Sequence, residues 1–261
     1  MTKNSIYQHF RKEEEAVIDD IYNTLEQVRN EYRPILTRFL NPRERFIAST
    51  LLGDDEQIKM KSCGLAVTAE RKRILFYPEY YSPTAADFEL SLLKINYPAK
   101  FAELEHRQVL GTLMNIGIKR DIIGDILTDG TQWQLVVDTQ MADYVCLQVD
   151  HIGRIKVKLE IVAPEQLVVP LNEWEHKQIS VSSLRIDVLI AAIYNLSRQR
   201  AKDLLLAQKI HLNWMLLEKP DVELGREDMV SVRGHGRFRV NDVTGTSKKG
   251  KIRLDILVLE N

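Results

Sequence analysis

The order of hydrophobic periodicities between residues 88 and 162 constrains this chain more than any other feature. Residues 88–96 open with Phe88-Glu89-Leu90-Ser91-Leu92, which alternates with the two-residue period of a strand. Residues 99–115 place Leu104, Leu110 and Leu113 on one side of a helix. Gly124 to Leu127 and Trp133 to Val137 read as two strands joined at Thr128-Asp129-Gly130, where Asp-Gly marks a tight turn. Residues 139–149 are helical again, and Arg154-Ile155-Lys156-Val157-Lys158-Leu159 alternates within 154–162. The resulting β-α-β-β-α-β order is the split, ferredoxin-like arrangement, so the expected fold class is α+β.

The flanking segments differ in kind. Ile6, Phe10, Val17, Ile18, Ile21, Leu25 and Val28 recur at helical spacing. A second helix starts at Asn41-Pro42-Arg43-Glu44, where Asn41 caps, Pro42 suits the first helical position and Glu44 completes a capping box. Phe46, Ile47, Thr50 and Leu51 give it a buried side, and Gly53-Asp54-Asp55 ends it. Strand-like runs fall near 58–67 and 72–77. Pro164 and Pro170 stand among polar residues. The expected organisation is an N-terminal helical region (1–55), a ferredoxin-like domain (56–162), a linker (163–178) and a C-terminal domain (179–261).

Charge is unevenly spread along the 261 residues. The net charge is −1, yet residues 180–261 carry 14 Lys and Arg against 10 Asp and Glu. A basic module on a mildly acidic body suits a polyanion binder. No run approaches the ~18 apolar residues of a membrane span, and Met1-Thr2-Lys3-Asn4-Ser5 lacks the pattern of a signal peptide. Cys63 and Cys146 suit no metal spacing and are expected to be small buried side chains. A cytoplasmic protein without membrane association is expected.

The C-terminal segment carries the chemistry. Leu184 to Tyr194 reads as a helix burying Leu184, Val188, Leu189, Ala192 and Ile193, with Arg185 and Asp187 off that side. Ser197 caps a second helix, from Arg198 to about Ala207, whose buried face is Ala201, Leu204 and Leu205. Its first turn holds Arg198 and Arg200, with Lys202 next. Cations there oppose the helix dipole, which implies a partner supplying negative charge, as phosphate does. A strand (Ile210-His211-Leu212-Asn213), a loop (Pro220 to Asp228) and a hairpin follow. In the hairpin Arg233, Arg237 and Arg239 share the open side, and Lys248, Lys249 and Lys251 add charge beyond it.

Arg185-Ile186-Asp187, Ser197-Arg198 with Ala201, Ile210-His211-Leu212-Asn213, Pro220 and Val232-Arg233-Gly234 resemble the αL RNA-binding domain of small-subunit ribosomal protein S-four. The resemblance covers residues 182–240; Gln208 and Trp214 stand where that family usually has glycine. It implies RNA contact through Arg185, Ser197, Arg198 and Arg200, then Lys202 and Lys209. The whole chain resembles the bacterial YlmH family, through Phe39-Leu40-Asn41-Pro42-Arg43-Glu44, Ala69-Glu70-Arg71, His106-Arg107-Gln108-Val109-Leu110-Gly111, Gly117-Ile118-Lys119-Arg120 and Ile123-Gly124-Asp125-Ile126. That resemblance implies a role on obstructed large ribosomal subunits, with ribosomal RNA and peptidyl-tRNA as partners, in ribosome-associated quality control with its protein factors. A monomer is expected.

Blander readings stay beside these. Arg185 can simply pair with Asp187, and exposed hairpins carry arginine for solubility. His106, Arg107, Lys119 and Arg120 form a possible second surface or ordinary solvated groups. Arg71-Lys72-Arg73 reads as a solvated run. The central strands offer Trp133 as the one clear aromatic, so core packing is expected there rather than base stacking. His151-Ile152-Gly153-Arg154 and Lys59-Met60-Lys61-Ser62 echo synthetase signatures in the wrong order and count as chance. No Gly-rich phosphate loop or carboxylate–histidine cluster appears, so no metal or other cofactor and no enzyme activity is expected. The alternatives are an RNA-modifying enzyme with a site in residues 56–165 and an interaction protein of cell division.

Overall fold

The computed structural model describes residues 10–169, 174–217, 219–248 and 250–260. Ile6, Pro170 and Lys249, singled out in the sequence, lie outside them. The chain forms two compact units, Met1–Leu171 and Asn172–Asn261.

In the first unit α1 (Glu15–Glu31) buries Ile18, Ile21, Leu25 and Val28, as their spacing demands. Tyr32 ends it in the left-handed region. The chain then enters a strand, β1 (Ile35–Leu40), so the N-terminal region is not wholly helical. β1 pairs antiparallel with β3 (Lys72–Pro78), which also pairs with β2 (Ile58–Cys63). This sheet spans a border at 55–56, so residues on either side of it share one structure. A bulge between Leu36 and Phe39 breaks the alternation of β1, and the Thr37 hydroxyl accepts the Ile74 amide at 2.9 Å. A strand bent in this way shows no clean two-residue period.

α2 (Pro42–Leu52) starts with the capping box read from its sequence. The Asn41 side chain accepts from the Glu44 amide (2.9 Å), and the Glu44 carboxylate accepts from the Asn41 amide (2.7 Å). Ile47 and Ala48 pack with α1 over Ile58, Ile74 and Phe76. Asn41→Ala is expected to lower the stability of this unit by about 1 kcal/mol in urea unfolding; an unchanged midpoint would show that the cap contributes nothing.

The ferredoxin-like order is present as β4 (Leu90–Asn96), α3 (His106–Asn115), β5 (Ile123–Thr128), β6 (Trp133–Asp138), α4 (Thr139–Gln148) and, after a hairpin of β7 (His151–Ile152) and β8 (Ile155–Lys156), β9 (Lys158–Val162). The sheet order is β5-β6-β4-β9 with antiparallel neighbours. α3 starts later than the periodicity suggests, because residues 97–105 form a loop that still buries Leu104. One sheet face packs Leu93, Ile95, Trp133, Leu135 and Val137 against Val109, Leu113, Ala142 and Val145 of the helices.

The segment expected to link the domains is structured at both ends. Val168 is buried in the first unit, and β10 (Glu175–Val181) is a strand of the second. That unit is a six-stranded sheet, β10-β15-β14-β13-β11-β12, formed with β11 (Ile210–Leu212), β12 (Met215–Leu216), β13 (Met229–Val232), β14 (Gly236–Thr246) and β15 (Ile252–Glu260). β15 lies between β10 and β14, and β10 brings residues from 175 onward, inside the expected linker, into this unit. α5 (Ile186–Ile193) and α6 (Arg198–Leu206) pack Leu189, Ile190, Ala201 and Leu205 on Val230, Phe238 and Ile256. Ala192 is exposed rather than buried.

Candidate nucleic-acid interface

The sequence puts Asp187 off the buried side of α5, yet its side chain is 0% exposed. A carboxylate is buried at such a place only when cations and hydrogen bonds replace its water. Arg185 Nε and Nη2 donate to the two Asp187 oxygens at 3.1 and 3.2 Å, and Arg198 Nη2 donates to Oδ2 at 3.0 Å. Burial pushes the Asp187 carboxyl up, but the hydrogen bonds from Arg185 and Arg198 outweigh it and hold it below the usual carboxylate range. The same bonding raises the Arg185 guanidinium. Asp221 and Glu223 also act on Arg185, while Arg198 keeps 57% of its side chain exposed.

Ser197 caps α6 as its position suggests, accepting the Arg200 amide at 3.1 Å. Among the described residues, the side chains of Arg200, Lys202 and Lys209 have no carboxylate partner. Arg233 joins them, since its amide donates to the Lys209 carbonyl at 2.9 Å and Ile210 pairs with Val232. The other hairpin arginines are engaged. Arg239 lies 3.3 Å from Glu227, and Arg237 sits over the Trp174 ring at 5.5 Å. The open hairpin face is thus partly neutralised, which alternation alone does not reveal.

The possible second surface divides in the same way. Arg107 is exposed and bonded to Glu105, while His106 and Lys119 are exposed. Arg120 turns inward: Nη1 donates to the carbonyls of Ile123 (2.7 Å) and Gly124 (3.1 Å). Burial, then the nearby Arg71 charge, lowers its pKa to about 10. Arg71 and Arg73 are buried too, so their run is no solvated face. Arg71 Nη2 donates to the Phe39 carbonyl at 2.8 Å, and Asp125 accepts the amides of Glu70 (2.7 Å) and Arg71 (3.0 Å). The motifs around 39–44, 69–71, 117–120 and 123–126 therefore meet at one junction that organises the fold.

The second face of the ferredoxin-like sheet is closed. Leu92, Leu127 and Val136 on it are buried with Phe39 and Val168. Gln134 locks the cover, donating to the Gln166 carbonyl (2.7 Å) and accepting the Val168 amide (2.9 Å). Trp133 is buried on the helix side. Base stacking on this sheet would require opening a core. Among the described residues there is no group of His, Cys, Asp and Glu that could hold a metal, and no helix long and apolar enough to cross a membrane. Cys63 and Cys146 are free and half-buried, and burial pushes the Cys146 thiol up, away from the reactive thiolate.

Residues 83–166, the ferredoxin-like domain, match the family model described as "Putative RNA-binding domain in YlmH". The ribosome-associated protein quality control protein P2 of Bacillus subtilis (strain 168) is 38% identical over 251 residues, 96% of this chain and 97% of that protein. Among solved structures, the cell division protein ylmH from Streptococcus pneumoniae is similar with a TM-score of 0.53 and 35% identity, over 62% of this chain and 99% of that one.

Proposed function

This chain belongs to the YlmH family, and on that premise we propose that it is a non-catalytic RNA-binding factor of ribosome-associated quality control. Its ligand would be ribosomal RNA of the large subunit, with peptidyl-tRNA beside it. The C-terminal unit would act as an αL module of the S-four type. The observation that carries this is the set of cations without a carboxylate partner along α6 and just past its C-terminal end: Arg200 and Lys202 on the helix, Lys209 and Arg233 at the strand ends that follow it. Such groups grip phosphate and set affinity and register rather than sequence preference. Arg185 and Arg198 would position this surface through Asp187, offering their remaining N–H groups to the same backbone. Arg237 and Arg239 would contribute less, being engaged by Trp174 and Glu227.

The test is the Arg200→Ala/Lys202→Ala/Lys209→Ala chain. Its co-sedimentation with large subunits should drop, and the slope of log K against log salt for ribosomal RNA should flatten by roughly 2–3. A folded triple variant with unchanged binding and slope would sink the assignment. A second reading, an interaction protein of cell division, is favoured by the name of the similar streptococcal protein. Ribonuclease-insensitive capture of division proteins would support it over the first.

A further inference from the structure

We propose that the loop end of the ferredoxin-like domain, around Phe101, is a second surface, specific for single-stranded RNA. This rests on the reading that the chain binds RNA. Both faces of the sheet are closed, one by α3 and α4 and the other by Phe39, Val168 and the Gln134 lock. A nucleic acid held by this domain must therefore use its edges and loops.

One end has the required chemistry. Asn96 at the close of β4 pairs with Lys158 at the start of β9, so the 97–105 loop leaves the sheet beside Lys158. The β7–β8 hairpin lies against α3, with Gly153 at its turn (φ +61°) near the Gln108 amide. Its Val157 and Asp150 are tied by a backbone hydrogen bond of 2.9 Å. The loop, the hairpin and the first turn of α3 thus come together. The Phe101 side chain is 90% exposed there, and its amide donates to the Pro98 carbonyl at 2.9 Å, so a turn presents the ring to solvent. Exposing a phenyl ring is unfavourable in water and gains value when a base covers it.

Exposed cations lie on each of these elements: Lys100 in the loop, Arg107 in the first turn of α3, Arg154 and Lys156 in the hairpin and Lys158 at the start of β9. Of the acidic neighbours, Glu105 bonds Arg107, Asp150 contacts His151 at 3.1 Å, and Glu160 faces Lys94 across the sheet. Glu103 remains exposed against the other lysines and arginines. An aromatic platform ringed by cations fits a strand whose bases are unpaired, since a duplex offers no free base face along its length. The histidine–arginine hairpin, unrelated to synthetase chemistry, becomes part of a phosphate track.

The experiment uses the full chain carrying the Arg200/Lys202/Lys209 alanine triple, which removes three of the four C-terminal cations proposed above. The probes are fluorescein-labelled oligouridine and the same strand annealed to oligoadenine. Adding Phe101→Ala should weaken single-strand binding by roughly five- to 150-fold, the loss of one base–aromatic stack, and leave the duplex unchanged. Phe101→Trp should preserve binding. Arg154→Gln/Lys156→Gln should lower the salt slope by about 1.4. Leu147→Ala, which trims an apolar side chain 80% exposed on α4, should change nothing. Retained single-strand affinity in Phe101→Ala, or an equal loss for both probes, overturns the proposal. If the triple variant binds no single strand while wild type does, this surface is wrong and the proposed function stands. If wild type binds neither probe nor ribosomal RNA, both fall.

Discussion

Replacing Arg185 and Arg198 together by alanine is expected to destabilise the C-terminal unit at neutral pH, because it strips the Asp187 carboxylate of its cations. Asp187 is 0% exposed, and these two guanidiniums supply three hydrogen bonds to it. Either single variant should cost less, because one charged partner remains. The pH dependence carries a sharper signature. In the wild type the Asp187 pKa is lowered. Its stabilisation is therefore fully present above the unfolded value of about 3.9 and is lost as pH falls through the depressed folded value. In the double variant burial acts alone and raises the pKa. The neutral acid is then favoured, so stability declines as pH rises through the elevated value. The gap between the two proteins should widen from acid to neutral pH in urea titrations. A gap that stays flat across this pH range would show that the clasp adds little. Lost RNA binding in this double variant would partly report unfolding, which is why the functional test uses Arg200, Lys202 and Lys209.

Phe39→Ala should cost about 3–5 kcal/mol, since its ring is fully buried. Gly124→Ala should cost about 1–3 kcal/mol from the opposite cause, overpacking. A Cβ at residue 124 would lie 2.7 Å from Phe39 Cε1, 3.2 Å from Cζ and 3.1 Å from Val136 Cβ. The two losses should not add. With the ring gone, the new methyl enters the space it vacated, so the double variant should be more stable than the sum by roughly 0.5 kcal/mol or more. A double-mutant cycle in denaturant measures this, and additivity within about 0.3 kcal/mol would mean that ring and glycine are not in contact. The contact joins β1 to β5 and helps close the sheet face, so loosening it should also raise hydrogen exchange in β4, β5 and β6.

Features encoded within a few residues are legible in the sequence alone. The caps at Asn41 and Ser197 depend on side chains three positions from the amides they accept, and both form. The six-element order from 88 to 162 follows from local periodicity and short turns. β1 escaped because its bulge and Thr37 bond break the alternation. β10 escaped because its partner, β15, lies some seventy residues further along the chain. The candidate site shows the same division. Arg198 and Arg200 differ little as residues in a first helical turn, yet one grips Asp187 and the other is left to solvent. Arg107 and Arg120 both belong to family-like motifs, yet one lies outside and the other binds two carbonyls.

The sequence by itself determined the kinds of element, their caps and the presence of excess cations in residues 180–261, because these depend on neighbours a few positions apart. Tertiary structure decided which cations remain unneutralised, which carboxylate is buried and which sheet face is closed. Those outcomes depend on groups that arrive from elsewhere: Arg198 at Asp187, Glu227 at Arg239, and Phe39 and Val168 over β4 and β6. Charge and burial are set by three-dimensional surroundings, through lost water and gained partners, and no local period encodes them.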